Sequence, residues 1–157
     1  MHLNPDHFLE TADGRLVTEK RNAEAWRMSY EAVDQALSNA GPLTKVYVLV
    51  GPQGAGKSAW VRSQIPLHPE AVFFDAILVK RSERAPIIAA AKSRAVGVIC
   101  AWLKTPLEVC LVRNAARPND QVVPEQAVHN VHGAIEPPSV DEEFETVIEV
   151  PYLERDA

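Results

Sequence analysis

From Thr18 to Asn39 the apolar side chains Trp26, Tyr30, Val33 and Leu37 recur at spacings of four, three and four. That is the stripe of an amphipathic helix, and Gly41-Pro42 end it. The 17 residues before it are polar and show no period. "KVYVLV" (45–50) is a continuous β-branched run, the pattern of a strand buried on both faces. "AVFFDA" (71–76) and "AVGVICAWL" (95–103) repeat it. "ETVIEV" (145–150) is a fourth strand candidate. Helical patterns lie between them: "KSAWVRSQI", stopped by Pro66; "SERAPIIAAAKSR", with Ser82 as its cap; "PLEVCLVRNAARP"; and a helix from Pro124 to about Ile135, broken by Pro137-Pro138. Thr105, Pro106 and Glu108 read as a capping signature, with hydroxyl cap, proline in the first helical position and a carboxylate reaching back. Strands alternate with helices from Lys45 onward. The class is therefore α/β, with a short, mostly parallel sheet of about four strands flanked by helices. Residues 1–44 form a helical extension before a domain spanning 45–157. Its helix either covers a sheet face or pairs with another subunit, so a homo-oligomer is one expectation.

The first strand runs directly into Gly51-Pro52-Gln53-Gly54-Ala55-Gly56-Lys57-Ser58, which matches G-x-x-x-x-G-K-[ST]. Glycines at these spacings let successive backbone N–H groups turn toward one point, a nest for phosphate. The helix that follows adds its positive end. In this pattern the lysine reaches the β- and γ-phosphates, and the Ser58 hydroxyl is a Mg²⁺ ligand. Strand before and helix after are the context the pattern requires. The octet is read as a site for nucleoside triphosphate, with ATP and Mg²⁺ as the expected cofactors.

Composition narrows the setting. The 157 residues suit one domain with a proper core. No apolar run approaches the roughly 20 residues of a membrane-spanning helix. The N-terminus lacks a basic start and apolar core, so no membrane partner and a cytoplasmic location are expected. Cys100 and Cys110 have no metal-binding spacing and read as small buried hydrophobes. The net charge of −5 is uneven. Residues 1–44 carry −3, residues 45–140 carry +4, and residues 141–157 carry −6, read as a solvated acidic tail. The glycine octet lies in the anion-friendly part. The histidines are scattered, and the His129/His132 pair has no evident partner for a metal.

Phosphoryl transfer needs positive charge around the moving group and a residue that orients the acceptor. Arg113 and Arg117 are four apart at a helix C-terminus, followed by a polar loop (118–123), and form a candidate lid over the nucleotide. Asp75 ends a strand, where ligands collect in open α/β sheets. It is placed near Ser58, as a metal ligand or as a base toward an acceptor hydroxyl. Arg81 and Arg84 either bind an acceptor phosphate or are solvated.

The segments "GPQGAGKS", "FFDAILVKRSERAPIIAAAK", "TPLEVCLVRNAARP", "VVPEQAV" and "EPPSVDEEFETVIEV" together resemble the polynucleotide-kinase-like P-loop kinases, over roughly residues 46–150. The resemblance implies a P-loop kinase fold and phosphotransfer from ATP to a hydroxyl, such as a nucleic-acid or nucleotide 5′-hydroxyl. It also implies a lid role for Arg113 and Arg117. Such kinases usually carry an extra strand between the phosphate-loop helix and a "D-x-T-N" motif, and its end supplies the aspartate taken as general base. Here only 16 residues separate Ser58 from Asp75, and Ile77 stands where the family has Asn. Either Asp75 assumes the base role, or acceptor recognition comes from elsewhere, such as the first 44 residues. "DEEF" also lacks the glycine of the family's "EGF". The catalytic candidates are Lys57, Asp75, Arg113 and Arg117, with Ser58 and Asp75 at the metal. A small-molecule kinase and a nucleotide-binding ATPase switch or adaptor are the alternative readings.

Overall fold

A computed structural model describes residues 1–153. Seven strands and five α-helices run in the order β1 (His2–Leu3), β2 (Glu10–Thr11), β3 (Gly14–Arg15), α1 (Glu19–Ser38), β4 (Lys45–Val50), α2 (Lys57–Gln64), β5 (Val72–Phe74), α3 (Arg81–Lys92), β6 (Gly97–Lys104), α4 (Leu107–Ala115), α5 (Glu125–Ala134) and β7 (Thr146–Pro151). Five strands form one sheet in the order β1-β5-β4-β6-β7, and every pairing in it is parallel. The α/β expectation holds. The fifth strand comes from residues 2–3, inside a segment whose sequence shows no period. A two-residue strand is too short to carry one.

Strand alternation divides the core in two. Val46, Val48 and Val50 of β4 join Phe74, Val98 and Cys100 on one face, which Val33 and Leu37 of α1 and Ile87 and Ala91 of α3 cover. Tyr47 and Leu49 join Phe73, Ala101 and Leu103 on the other, under Val61 of α2, Cys110 of α4 and Val128 of α5. The N-terminal helix thus covers a sheet face. Its inward row is Ala25, Ser29, Val33 and Leu37, rotated from the expected stripe, while Tyr30 is exposed. Small side chains at 25 and 29 suit the close approach to the sheet. The Ser29 hydroxyl donates to the Ala25 carbonyl at 2.8 Å, so nothing polar is stranded. No helix among the described residues is long and apolar enough to cross a membrane.

Two expected caps are corrected. Helix α3 starts at Arg81 with Lys80 at its cap, and Ser82 lies within the first turn. Glu83 starts the helix early by accepting the Val79 N–H at 3.2 Å. Helix α4 is capped at Pro106 without a side-chain bond, because the Thr105 hydroxyl is used elsewhere.

The acidic C-terminal stretch is also corrected, because much of it forms a clamp. Arg84 is fully buried and grips both Glu142 carboxylate oxygens, at 2.8 and 3.0 Å. Its remaining donors reach the carbonyls of Leu78, Val79 and Glu136 at 3.0–3.1 Å. Arg81 pairs with Asp141, Lys92 with Glu143 and Lys45 with Glu145. Arg84 therefore has no donor left for an acceptor phosphate. Glu154 and Asp156 of the expected tail lie outside the described residues. Glu142→Gln leaves a buried guanidinium without its counter-charge and is expected to cost about 3 kcal/mol. Arg81→Ala, which breaks an exposed pair, should cost under about 1 kcal/mol. Urea denaturation of the two variants checks the contrast.

Candidate functional site

Strand β4 ends at Val50, and the octet turns over its C-terminal edge into α2. Gly56 caps α2 at φ 95° with no side-chain bond, so the first helical N–H groups are turned outward without a side-chain cap. Gly54 stands at φ 81°, and a Cβ there would lie 2.4 Å from the Cys110 carbonyl oxygen of α4. No other residue fits both that backbone conformation and that approach. The Thr105 hydroxyl donates to the Ala55 carbonyl at 2.7 Å and ties the loop to the end of β6. Thr105→Val removes this tie. It should cost about 1 kcal/mol and shrink any nucleotide-induced rise in Tm, as differential scanning fluorimetry would read.

Lys57 is buried, and its Nζ donates to the Gly51 carbonyl at 2.7 Å and the Pro52 carbonyl at 3.2 Å. Burial pushes the ammonium pKa down, and the Asp75 charge partly restores it. Ser58 Oγ donates to Asp75 Oδ2 at 2.6 Å. Asp75 follows β5 and is 1 % exposed. Its burial acts to raise the pKa, but bonds from His2 and Ser58 and the Lys57 charge outweigh it, and the carboxyl titrates below the usual range. His2 Nε2 lies 2.8 Å from the same Oδ2.

The sequence-predicted residues thus converge. Gly51 to Ser58, Asp75, Arg113 and Arg117 lie together at the C-terminal edge of the sheet. A cavity of about 900 Å³ is lined by Pro52 to Ser58, Asp75 and both arginines. Arg113 Nη1 approaches the Gly54 carbonyl at 3.5 Å, and its guanidinium lies 5.7 Å from the Tyr152 ring centre. Arg117 reaches the cavity from the loop just beyond α4. Sequence reasoning missed three contributors. His2 is one of the scattered histidines, Thr105 fits a local capping pattern, and residues 4–15 show no period although Asn4, Asp6, His7 and Arg15 line the same cavity. The Asn4-Pro5 dipeptide is the available signal, since Asn-Pro favours the start of a turn.

The donor set suits a triphosphate and a divalent cation. A glycine cradle ends at an uncapped helix start, a buried ammonium donates to two loop carbonyls, and a hydroxyl–carboxylate pair offers hard oxygen ligands. Gln53 Oε1, in the octet itself, is buried without a hydrogen-bond partner among the described residues.

No curated protein matches the chain. The AAA domain family model matches residues 68–138, less than half of the chain, from the turn before β5 through α5. The phosphate loop lies outside that match and supports the same class independently. Fold, loop and match together make this an α/β domain of the P-loop NTPase type, similar over residues 68–138 to the AAA domain family.

Proposed function

We propose that the protein is an ATP- and Mg²⁺-dependent phosphotransferase that acts on a hydroxyl acceptor. The observation that carries this reading is the Ser58–Asp75 pair, at 2.6 Å, set beside the buried Lys57 and facing a cavity that Arg113 and Arg117 also enter. Backbone N–H groups of Gly51 to Ser58 would hold the phosphates, with Lys57 at the β- and γ-phosphates. Ser58 and Asp75 would hold Mg²⁺, with His2, at the same Oδ2 that Ser58 meets, orienting the carboxylate. The cation supplies charge neutralisation at the phosphate oxygens. Arg113 and Arg117 would stabilise the charge that spreads over the transferring group, and their approach would exclude water.

An ATPase switch or adaptor is less favoured, because α1 is packed onto the sheet rather than left as a partner surface. Acceptor-dependent ADP release decides between them. Oligonucleotides, nucleosides or small alcohols should raise ADP release above the rate with ATP–Mg²⁺ alone. A broad panel that never exceeds that background overturns the kinase reading.

A further inference from the structure

We infer that residues 4–15 build the acceptor side of the cavity, and that the acceptor is a small uncharged polyhydroxyl compound of sugar or nucleoside size. The inference rests on the phosphotransferase reading and concerns its other substrate.

Strand β1 extends the sheet beside β5, in register His2 with Phe73 and Leu3 with Phe74. The Asp75 N–H donates to the Leu3 carbonyl at 2.8 Å, so the chain leaves β1 at the same edge where Asp75 meets Ser58. Asn4 then turns it, its Oδ1 accepting the Asp6 N–H at 2.9 Å. The turn sets Asp6 and His7 in the wall of the cavity that the phosphate loop also lines. A hydroxyl compound held there would lie between these side chains and the donor site.

The chemistry of this wall suits an uncharged compound better than a polyanion. Arg15 is its cation, and it is already paired with Asp6 at 3.3 Å and Glu10 at 2.8 Å. His7 is held below the ordinary histidine range, first by burial and then by His2, which disfavours its charged form. Arg62 lines the cavity from α2, exposed and on the donor side. A single-stranded polymer would need a cationic track with stacking aromatics. What this wall offers is a carboxylate, amides at Asn4 and Asn22, and the partly buried ring of Trp26. Those groups accept and donate hydrogen bonds to hydroxyls and pack on the apolar face of a ring.

The cavity is also bridged. The β2–β3 hairpin pairs Glu10 with Arg15 and reaches the loop after Arg117, where the Arg15 N–H donates to Asp120 Oδ2 at 2.6 Å. A Cβ at Gly14 would lie 3.1 Å from that carboxylate, so the two segments are in contact. A volume of about 900 Å³ lies at the upper end of small-molecule sites, room for a nucleotide and one further small molecule.

The test measures γ-phosphate transfer from ATP–Mg²⁺ to D-ribose, D-glucose and uridine, with 5′-hydroxyl decathymidylate as the polymer comparison. At least one small probe should be phosphorylated above the ATPase background, and decathymidylate should not. Asp6→Asn should cut transfer about tenfold or more, with the Tm rise from ATP–Mg²⁺ unchanged. Asn22 is exposed, so Asn22→Ala keeps the fold, and it should raise the KM for the small probe about threefold with kcat unaltered. Transfer to decathymidylate, transfer to none of the small probes, or unaltered kinetics in both variants overturns the inference. Absence of any Tm rise with ATP–Mg²⁺ in the wild type marks instead a failure of the donor reading.

Discussion

Replacing Lys57 by alanine is expected to abolish the thermal stabilisation that ATP–Mg²⁺ confers on the wild type. Nζ is buried and donates to two loop carbonyls, Gly51 and Pro52, that carry no net charge. Burial has already pushed its pKa down, the mark of an ammonium held away from water with too little compensating charge. An anionic phosphate entering the loop supplies that charge at short range. Hydrogen bonds to ionised groups contribute about 1.5–3 kcal/mol each, so losing those to two phosphates costs on the order of 10²–10⁴ in affinity. At a nucleotide concentration near 100 Kd the wild type gains about 2.7 kcal/mol from binding. The variant at the same concentration should keep less than about 0.5 kcal/mol. Scanning fluorimetry with and without ATP–Mg²⁺ reads this directly. A stabilisation equal to that of the wild type would remove the phosphate-loop assignment, and with it the functional reading.

The phosphate loop is legible in sequence because its chemistry sits in contiguous residues. Strand β4 is apolar on both faces, and the eight residues after it hold glycines and a lysine at spacings that serve little else. The rest of the cavity lining is not contiguous. His2 meets Asp75 across 73 positions, and no local period marks a two-residue strand. The short link between Ser58 and Asp75 suggests a missing strand. In the structure residues 2–3 take the sheet edge beside β5, from before the phosphate loop rather than after it. Thr105 satisfied a local capping pattern, yet its hydroxyl found a carbonyl 50 residues away on the loop. A local pattern cannot anticipate a competing partner brought in by the fold. Sequence leaves Arg84 as a phosphate ligand or a solvated cation and Glu142 as solvated for the same reason, because burial of an ion pair depends on what covers it. The departure at "DEEF" has a conformational side. Glu143 stands at φ 80°, where the resembling kinases place glycine, and its side chain pairs with Lys92.

Arg117→Ala should separate catalysis from binding, because the structure presents this arginine without committing it. Helix α4 ends at Ala115, and the loop that follows is pinned at both ends by one buried side chain. The Asn114 amide donates to the Val123 carbonyl at 2.7 Å and accepts the Val123 N–H at 3.1 Å. Arg117 lies inside that pinned loop, half-buried, with no side-chain hydrogen bond or ion pair to another described residue. Burial and the nearby Arg15 lower its pKa, with Asp6 and Asp75 opposing. The guanidinium nonetheless stays charged at any working pH. A desolvated cation held this way gains most when negative charge builds up in front of it, which happens in the transition state more than in the ground state. An arginine in that role contributes on the order of 10³-fold or more to turnover. The variant should therefore lose about that factor in kcat, while its KM for ATP and its Tm rise with ATP–Mg²⁺ stay within about threefold of the wild type. Arg113 differs in kind, since it already packs against the loop at Gly54 and Tyr152. Arg113→Ala should disturb nucleotide affinity as well. If Arg117→Ala raised KM and left kcat intact, the side chain would be binding ground-state phosphate, and the transition-state role would pass to Arg113 alone.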